Sequence, residues 1–172
     1  MIHSVFLENL FTEKERESLY QIIIDEHHRL LSEKFSEYKV SKFTFGIPSN
    51  YLTEKLYESF VASSQDLLGS FKISNKNSRQ CWANVTRWGD FNEWHNHINT
   101  STINSVYYLS MPDKNSGQIF FRHEKKYFEF QPKEKNLIIF PNYLYHFPTC
   151  CKSEEYRIAL NMEIICDDNP WK

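Results

Sequence analysis

Glycine is nearly missing from this chain, with four residues in 172. That scarcity argues against the Gly-rich loops that cradle phosphates and against a dinucleotide-binding turn. An excess of either charge is missing too: 20 Lys and Arg stand against 22 Asp and Glu, for a formal net charge of −2. No global basic field is therefore present to recruit nucleic acid or an anionic membrane. No apolar run approaches the length of a membrane-spanning helix. Cysteine is limited to Cys81, Cys150, Cys151 and Cys166, without C-x-x-C spacing, so neither a zinc knuckle nor a disulfide framework is indicated. The segment Met1–Phe11 has no basic flank and no small-residue cleavage site, so no secretory signal is expected. These absences together predict a soluble cytoplasmic protein.

Aromatic residues are plentiful, with 14 Phe, 10 Tyr and 4 Trp. The length suits one domain over residues 1–172, large enough to bury a core without staples. Thr12 and Glu15 have the spacing of a capping box, in which hydroxyl and carboxylate satisfy the free amides of a helix start. Leu19, Ile22, Ile23, Leu30 and Leu31 follow at near-helical period, predicting a helix to about Lys34. Glu26 falls on its apolar side. A second helix is expected from Thr53 to about Leu68, and a short strand and turn over Phe43–Pro48. After Ser70 the period changes to two. Alternating runs occupy 81–88, 103–110, 117–122, 127–131, 137–140 and 156–165, separated by Pro, Asn, Asp and Lys clusters. The gaps are too short for parallel crossovers. The pattern predicts an α+β fold: helical support over about 1–70, packed on one sheet of an antiparallel double-sheet jelly roll over about 71–166.

His95 and His97 precede the run Ile103–Ser110, and side chains at i and i+2 of an extended chain point the same way. His146 follows the apolar run Leu137–Phe140, and Arg157 stands on the last strand. A third histidine so far along the chain can close a metal triad if the sheet folds back. Three ligands on one side of a metal leave adjacent positions for cosubstrate and O2, which non-haem iron chemistry requires. His3, His27, His28 and His123 read as ordinary surface or core residues.

The ordered set His95-x-His97, Val106-Tyr-Tyr-Leu109, Ser116-Gly117, Leu137-Ile-Ile-Phe-Pro141, His146 and Arg157-Ile-Ala-Leu-Asn161 resembles the iron- and 2-oxoglutarate-dependent oxygenases, in particular their small bacterial and phage members. The resemblance covers about residues 81–163. It implies a double-stranded β-helix core, Fe(II) as cofactor, 2-oxoglutarate as cosubstrate and O2 as oxidant, with succinate and CO2 released as a substrate is hydroxylated. His95 and His146 match the family's two iron-binding histidines. Arg157 matches the arginine that pairs with the far carboxylate of 2-oxoglutarate, where a guanidinium fork suits a carboxylate. Tyr108 matches a tyrosine that often supports the same carboxylate. Asn84 is nominated to face the cosubstrate or substrate.

His97 departs from the family, standing where Asp or Glu is usual. It is read as the third ligand, with Asp90 and Glu93 as the alternative oxygen donors nearby. Three neutral imidazoles leave a higher net charge on Fe(II) than two histidines and a carboxylate. Phe91 and Trp94 in the loop entering the motif, together with Tyr143, are candidate substrate contacts. Trp82 and Trp88 read as core. Two rival readings stand beside the oxygenase: a three-histidine cupin-type dioxygenase that uses no 2-oxoglutarate, and an inert jelly-roll binding module. The expected substrate is a peptide side chain or a small metabolite, and nucleic acid is disfavoured by charge. Whatever the substrate, fold does not choose it.

Overall fold

The computed structural model describes residues 2–32, 44–90 and 92–171. Among the described residues, nine strands and two helices run in the order β1 (His3–Phe6), α1 (Glu13–Ser32), β2 (Thr44–Ile47), α2 (Tyr51–Leu68), β3 (Cys81–Thr86), β4 (Ile103–Ser110), β5 (Ile119–His123), β6 (Lys126–Phe130), β7 (Asn136–Pro141), β8 (Tyr145–Pro148) and β9 (Arg157–Ile164). Six strands form a large antiparallel sheet in the order β1-β7-β4-β9-β3-β2, and three form a small one, β6-β5-β8. The predicted double-sheet jelly roll with N-terminal helices is the observed fold.

Both helices begin where side chains satisfy their free amides. At α1, Thr12 N–H donates to Glu15 Oε2 (2.8 Å) and Glu15 N–H to Thr12 Oγ1 (3.2 Å), as the spacing predicts. α2 starts earlier than Thr53: Asn50 is the cap, its Oδ1 accepting from Leu52 and Thr53 N–H, while Thr53 Oγ1 accepts from Asn50 N–H. The buried stripe of α1 is Leu19, Ile23, Ile24 and His27, which leaves Ile22 and Leu31 exposed. Glu26 avoids an uncompensated position by pairing with Arg29 (2.6 Å). Phe43 and the end of the expected first helix, Glu33 and Lys34, lie outside the described residues.

The period-two pattern sorts side chains to the two faces of the large sheet. Ile158, Leu160, Met162 and Ile164 of β9 join Ala83, Val85, Tyr107 and Leu109 against Leu19, Ile23, Leu56 and Phe60 of the helices. Burying each such aliphatic side chain stabilises the fold by roughly 1.5–3 kcal/mol. The other face turns Val106, Tyr108, Ile138, Phe140 and Ala159 toward Ile119 and Phe121 of the small sheet. Residues 157, 159, 161 and 163 of β9 therefore look into the space between the sheets.

Candidate active site

A cavity of about 440 Å³ opens between the two sheets. Its floor comes from alternate residues of the large sheet: Thr44, Trp82, Asn84, Val106, Tyr108, Arg157, Ala159, Asn161 and Glu163. The roof and rim come from Asn92, Glu93, Trp94, His95, His97, Ile119, His146 and Pro148. Of the residues expected from sequence to form the site, His95, His97, His146, Arg157, Tyr108, Asn84 and Trp94 all line this one cavity.

His95-Asn96-His97 is not a regular strand, as its spacing suggested, but a loop fastened to the residues before and in β8. His95 N–H donates to the His146 carbonyl (3.1 Å) and His146 N–H to the His95 carbonyl (2.9 Å), an isolated bridge. His97 N–H donates to the Asn142 carbonyl (2.9 Å). The three rings converge, with centroids 4.2 Å apart for His95 and His146, 5.2 Å for His97 and His146, and 5.3 Å for His95 and His97. One nitrogen from each lies within 4.8 Å of the others, so the group could hold a metal ion.

The remaining ring contacts select the tautomers. His95 Nδ1 lies 2.8 Å from the Glu93 carbonyl, His146 Nδ1 lies 3.1 Å from the Leu144 carbonyl, and His97 Nδ1 lies 2.6 Å from Glu163 Oε1. Each neighbour is an acceptor, which assigns a proton to Nδ1 on every ring; a neutral ring so held carries its free lone pair on Nε2. Burial lowers the pKa of His146 to about 3, with the His95 and His97 rings adding to the effect. Burial lowers that of His95 as well, partly opposed by its bond to the Glu93 carbonyl. Neutral imidazoles with oriented Nε2 atoms are suited to bind iron or another divalent metal. The alternative oxygen donors are differently placed: Asp90 Oδ2 accepts from Arg87 N–H in a turn (2.9 Å), and Glu93 serves His95 through its backbone.

At the floor, Arg157 is 2 % exposed, and among the described residues no carboxylate pairs with it. Its guanidinium carbon lies 5.3 Å from the centroid of the Tyr108 ring. Arg157 Nε, the Tyr108 hydroxyl and Asn84 Oδ1 are all buried without a hydrogen-bond partner, while Asn84 Nδ2 donates to Thr44 Oγ1 (2.8 Å). Unpaired buried polar groups cost free energy, and a buried charge costs most. Two of these groups fit a small dianionic oxo acid, since the guanidinium and the phenol can donate to a carboxylate, whereas the Asn84 oxygen can only accept. Burial raises the Tyr108 pKa to about 12 against the opposing pull of Arg157, so the hydroxyl remains a donor at neutral pH. Gly117, at φ +72°, makes room here, since a Cβ would lie 3.3 Å from both Cδ and Nε of Arg157.

Several expectations need correction. Tyr143 is not among the residues lining this cavity; its ring lies tilted against His123 (5.4 Å between centroids) beside Arg122 on a separate surface hollow. The turn after Pro141 buries Leu144 and sends Tyr143 to the other side. Trp82 is not core: it is 41 % exposed and forms part of the cavity wall, on the same face of β3 as Asn84. Trp88 is exposed as well. Phe91 lies outside the described residues. Glu163 and Asn161 were missed, although a count in twos from Arg157 reaches both.

Antiparallel sheets enclosing convergent imidazoles and a buried guanidinium define a double-stranded β-helix with a candidate metal and oxo-acid site. Residues 80–163 match the model of the family described as "Putative 2OG-Fe(II) oxygenase", so the core segment that carries the imidazoles and Arg157 is similar to the 2-oxoglutarate- and Fe(II)-dependent oxygenases. That likeness points to Fe(II), 2-oxoglutarate and O2 as the reactive set. Solved structures with the same fold include a Pseudomonas putida prolyl-4-hydroxylase (13 % identity, 95 % of this chain and 91 % of that one, TM-score 0.65). A Trichoplax adhaerens prolyl hydroxylase in complex with a hypoxia inducible factor peptide fragment is similar (13 %, 95 % and 83 %, 0.67). So is the α-ketoglutarate-dependent carbocyclase SnoK from nogalamycin biosynthesis (10 %, 95 % and 79 %, 0.64). No curated protein matches the sequence.

Proposed function

We propose that this oxygenase hydroxylates a side chain of a peptide, with His95, His97 and His146 holding Fe(II) and with Arg157 and Tyr108 holding 2-oxoglutarate. The observation that carries the assignment of roles is the buried, unpaired guanidinium of Arg157 in the same cavity as the three imidazoles. When bound, Fe(II) with 2-oxoglutarate and O2 supplies the oxidising chemistry, which yields succinate and CO2 and places one oxygen atom in a substrate C–H bond. The chain contributes binding and orientation. Arg157 and the protonated Tyr108 hydroxyl fix one carboxylate, and Asn84 offers an acceptor at the floor. The three Nδ1 contacts keep the imidazole lone pairs aimed inward.

A peptide is favoured over a small metabolite by the rim. Trp94 is 39 % exposed, borders the cavity, and packs on Phe147 (5.2 Å between centroids) and Tyr127 (6.3 Å). Arg122 adds its guanidinium over the rings of Trp94 and Tyr145. The mouth thus continues into an outward-facing strip of aromatic surface, which can grip residues flanking the one being oxidised. Among the described residues no helix is long and apolar enough to cross a membrane. The free thiols of Cys81, Cys150, Cys151 and Cys166 support a reducing, cytoplasmic setting.

The test is substrate-dependent succinate release, measured with a peptide library and a panel of free amino acids and small metabolites, followed by mass detection of the added oxygen. A peptide hit with a +16 Da product supports the proposal. Turnover confined to small metabolites overturns the peptide assignment.

A further inference from the structure

We propose that Glu163 is the charge partner of the metal centre, acting through His97: it holds the ring's Nδ1–H and supplies the negative charge that three imidazoles lack. This rests on the reading of His97 as a metal ligand. The contact between His97 Nδ1 and Glu163 Oε1 is 2.6 Å, and both side chains are less than a third exposed. Glu163 is fixed in place by strand pairing with Asn104 and faces the cavity with Arg157, Ala159 and Asn161. Thr100 Oγ1 also donates to Glu163 Oε1 (3.4 Å). The contact thus lies at the cavity wall, and the ring it orients joins the cluster of three.

The chemistry follows from charge. A divalent ion bound by three neutral rings keeps its full double charge before any cosubstrate arrives, and a partly dry cavity screens that charge poorly. A carboxylate accepting from Nδ1–H makes the opposite nitrogen a better donor and locks the ring plane. It would also place one negative charge beside the His97 ring, on the side of Nδ1. Glu163 is then a positioning residue, whose effect on the metal passes through His97. A fixed negative charge stabilises the trivalent state of iron more than the divalent one, so its removal raises the Fe(III)/Fe(II) potential.

The experiment uses the whole protein and needs no substrate. Mn(II) and Co(II) affinities are measured by calorimetry, and the Fe(III)/Fe(II) potential by mediated redox titration, for wild type, Glu163→Gln and Glu163→Asp. The thermal midpoint of each metal-free variant checks folding. Gln retains an acceptor oxygen and removes only the charge; Asp retains the charge on a shorter stem. The expected result is an affinity loss of about 10–100-fold in Glu163→Gln with a raised potential, substantially recovered in Glu163→Asp. Wild-type affinity and potential in folded Glu163→Gln would overturn the proposal. So would wild-type Mn(II) affinity in His97→Ala beside its loss in His95→Ala and His146→Ala, which would remove His97 from the ligand set. Neither result touches the oxygenase assignment, which is read separately from 2-oxoglutarate chelation.

Discussion

His95 and His146 exchange both of their backbone hydrogen bonds, at 3.1 and 2.9 Å, and so bring two distant parts of the chain together at one point. The pairing places their rings 4.2 Å apart between centroids. Ring position is therefore set by backbone, leaving the side chains free of that task. His146→Ala is expected to keep the fold while losing more metal affinity than the roughly 10–100-fold that outer contacts cost. Mn(II) calorimetry on the folded variant checks this; retained affinity would remove His146 from the site.

Arg157 offers a prediction with two signs. Its buried charge is unpaired in the absence of an anion, which costs stability, and apolar replacement of buried charges is often neutral or stabilising. Arg157→Met should therefore leave the ligand-free protein as stable as wild type, or more so, in denaturant titration. The same change should raise the 2-oxoglutarate KM by about 10–100-fold, the loss of one or two charge-assisted hydrogen bonds. A strongly destabilised variant would mean that Arg157 is mainly structural.

Trp94 should separate substrate from cosubstrate. Its ring is at the rim, packed on Phe147 and Tyr127, and away from the Arg157 floor. Trp94→Ala is expected to raise KM for the peptide substrate while leaving that for 2-oxoglutarate unchanged. Equal effects on both, measured by steady-state succinate release, would place Trp94 in the general architecture instead.

Stability of the metal-free protein should fall with acid in a defined window. Burial first, and neighbouring rings second, lower the pKa of His146 to about 3 from an ordinary 6.5, and burial lowers those of His95 and His27. Below pH 6.5 the unfolded chain takes up protons that the folded one refuses. Stability is thus fully present above that pH and is lost as pH falls toward 3, by up to about 1.4 kcal/mol per pH unit for each such proton. Denaturant titrations at pH 7.5 and 5 check this, and His146→Gln should flatten the slope. A slope unchanged in that variant would contradict the assignment to His146.

Much of this molecule can be read from its sequence because alternation survives on both faces of the large sheet. The run Ile103–Ser110 coincides with β4, and Arg157, Tyr108 and Asn84 all reach the cavity. The misses have physical causes. β1 has four residues, mostly exposed, and no apolar alternation to announce it. Asn50 is invisible as a cap until its own carboxamide oxygen is seen accepting from two amides. Tyr143 was attributed to the site by nearness in sequence to His146, but a turn intervenes before β8 and directs it elsewhere. Glu163 acquires meaning only when β9 is laid beside the His95–His97 loop, a contact that no local pattern encodes.

The central claim is that the imidazole cluster and Arg157 hold the two ends of one chelated oxo acid. The most direct measurement is anaerobic titration of the Fe(II)-loaded protein with 2-oxoglutarate, following the visible charge-transfer band of the chelate, with Arg157→Ala alongside. The account predicts a saturable band in wild type and a much weaker affinity in the variant. Bound iron with no band at any 2-oxoglutarate concentration would contradict it.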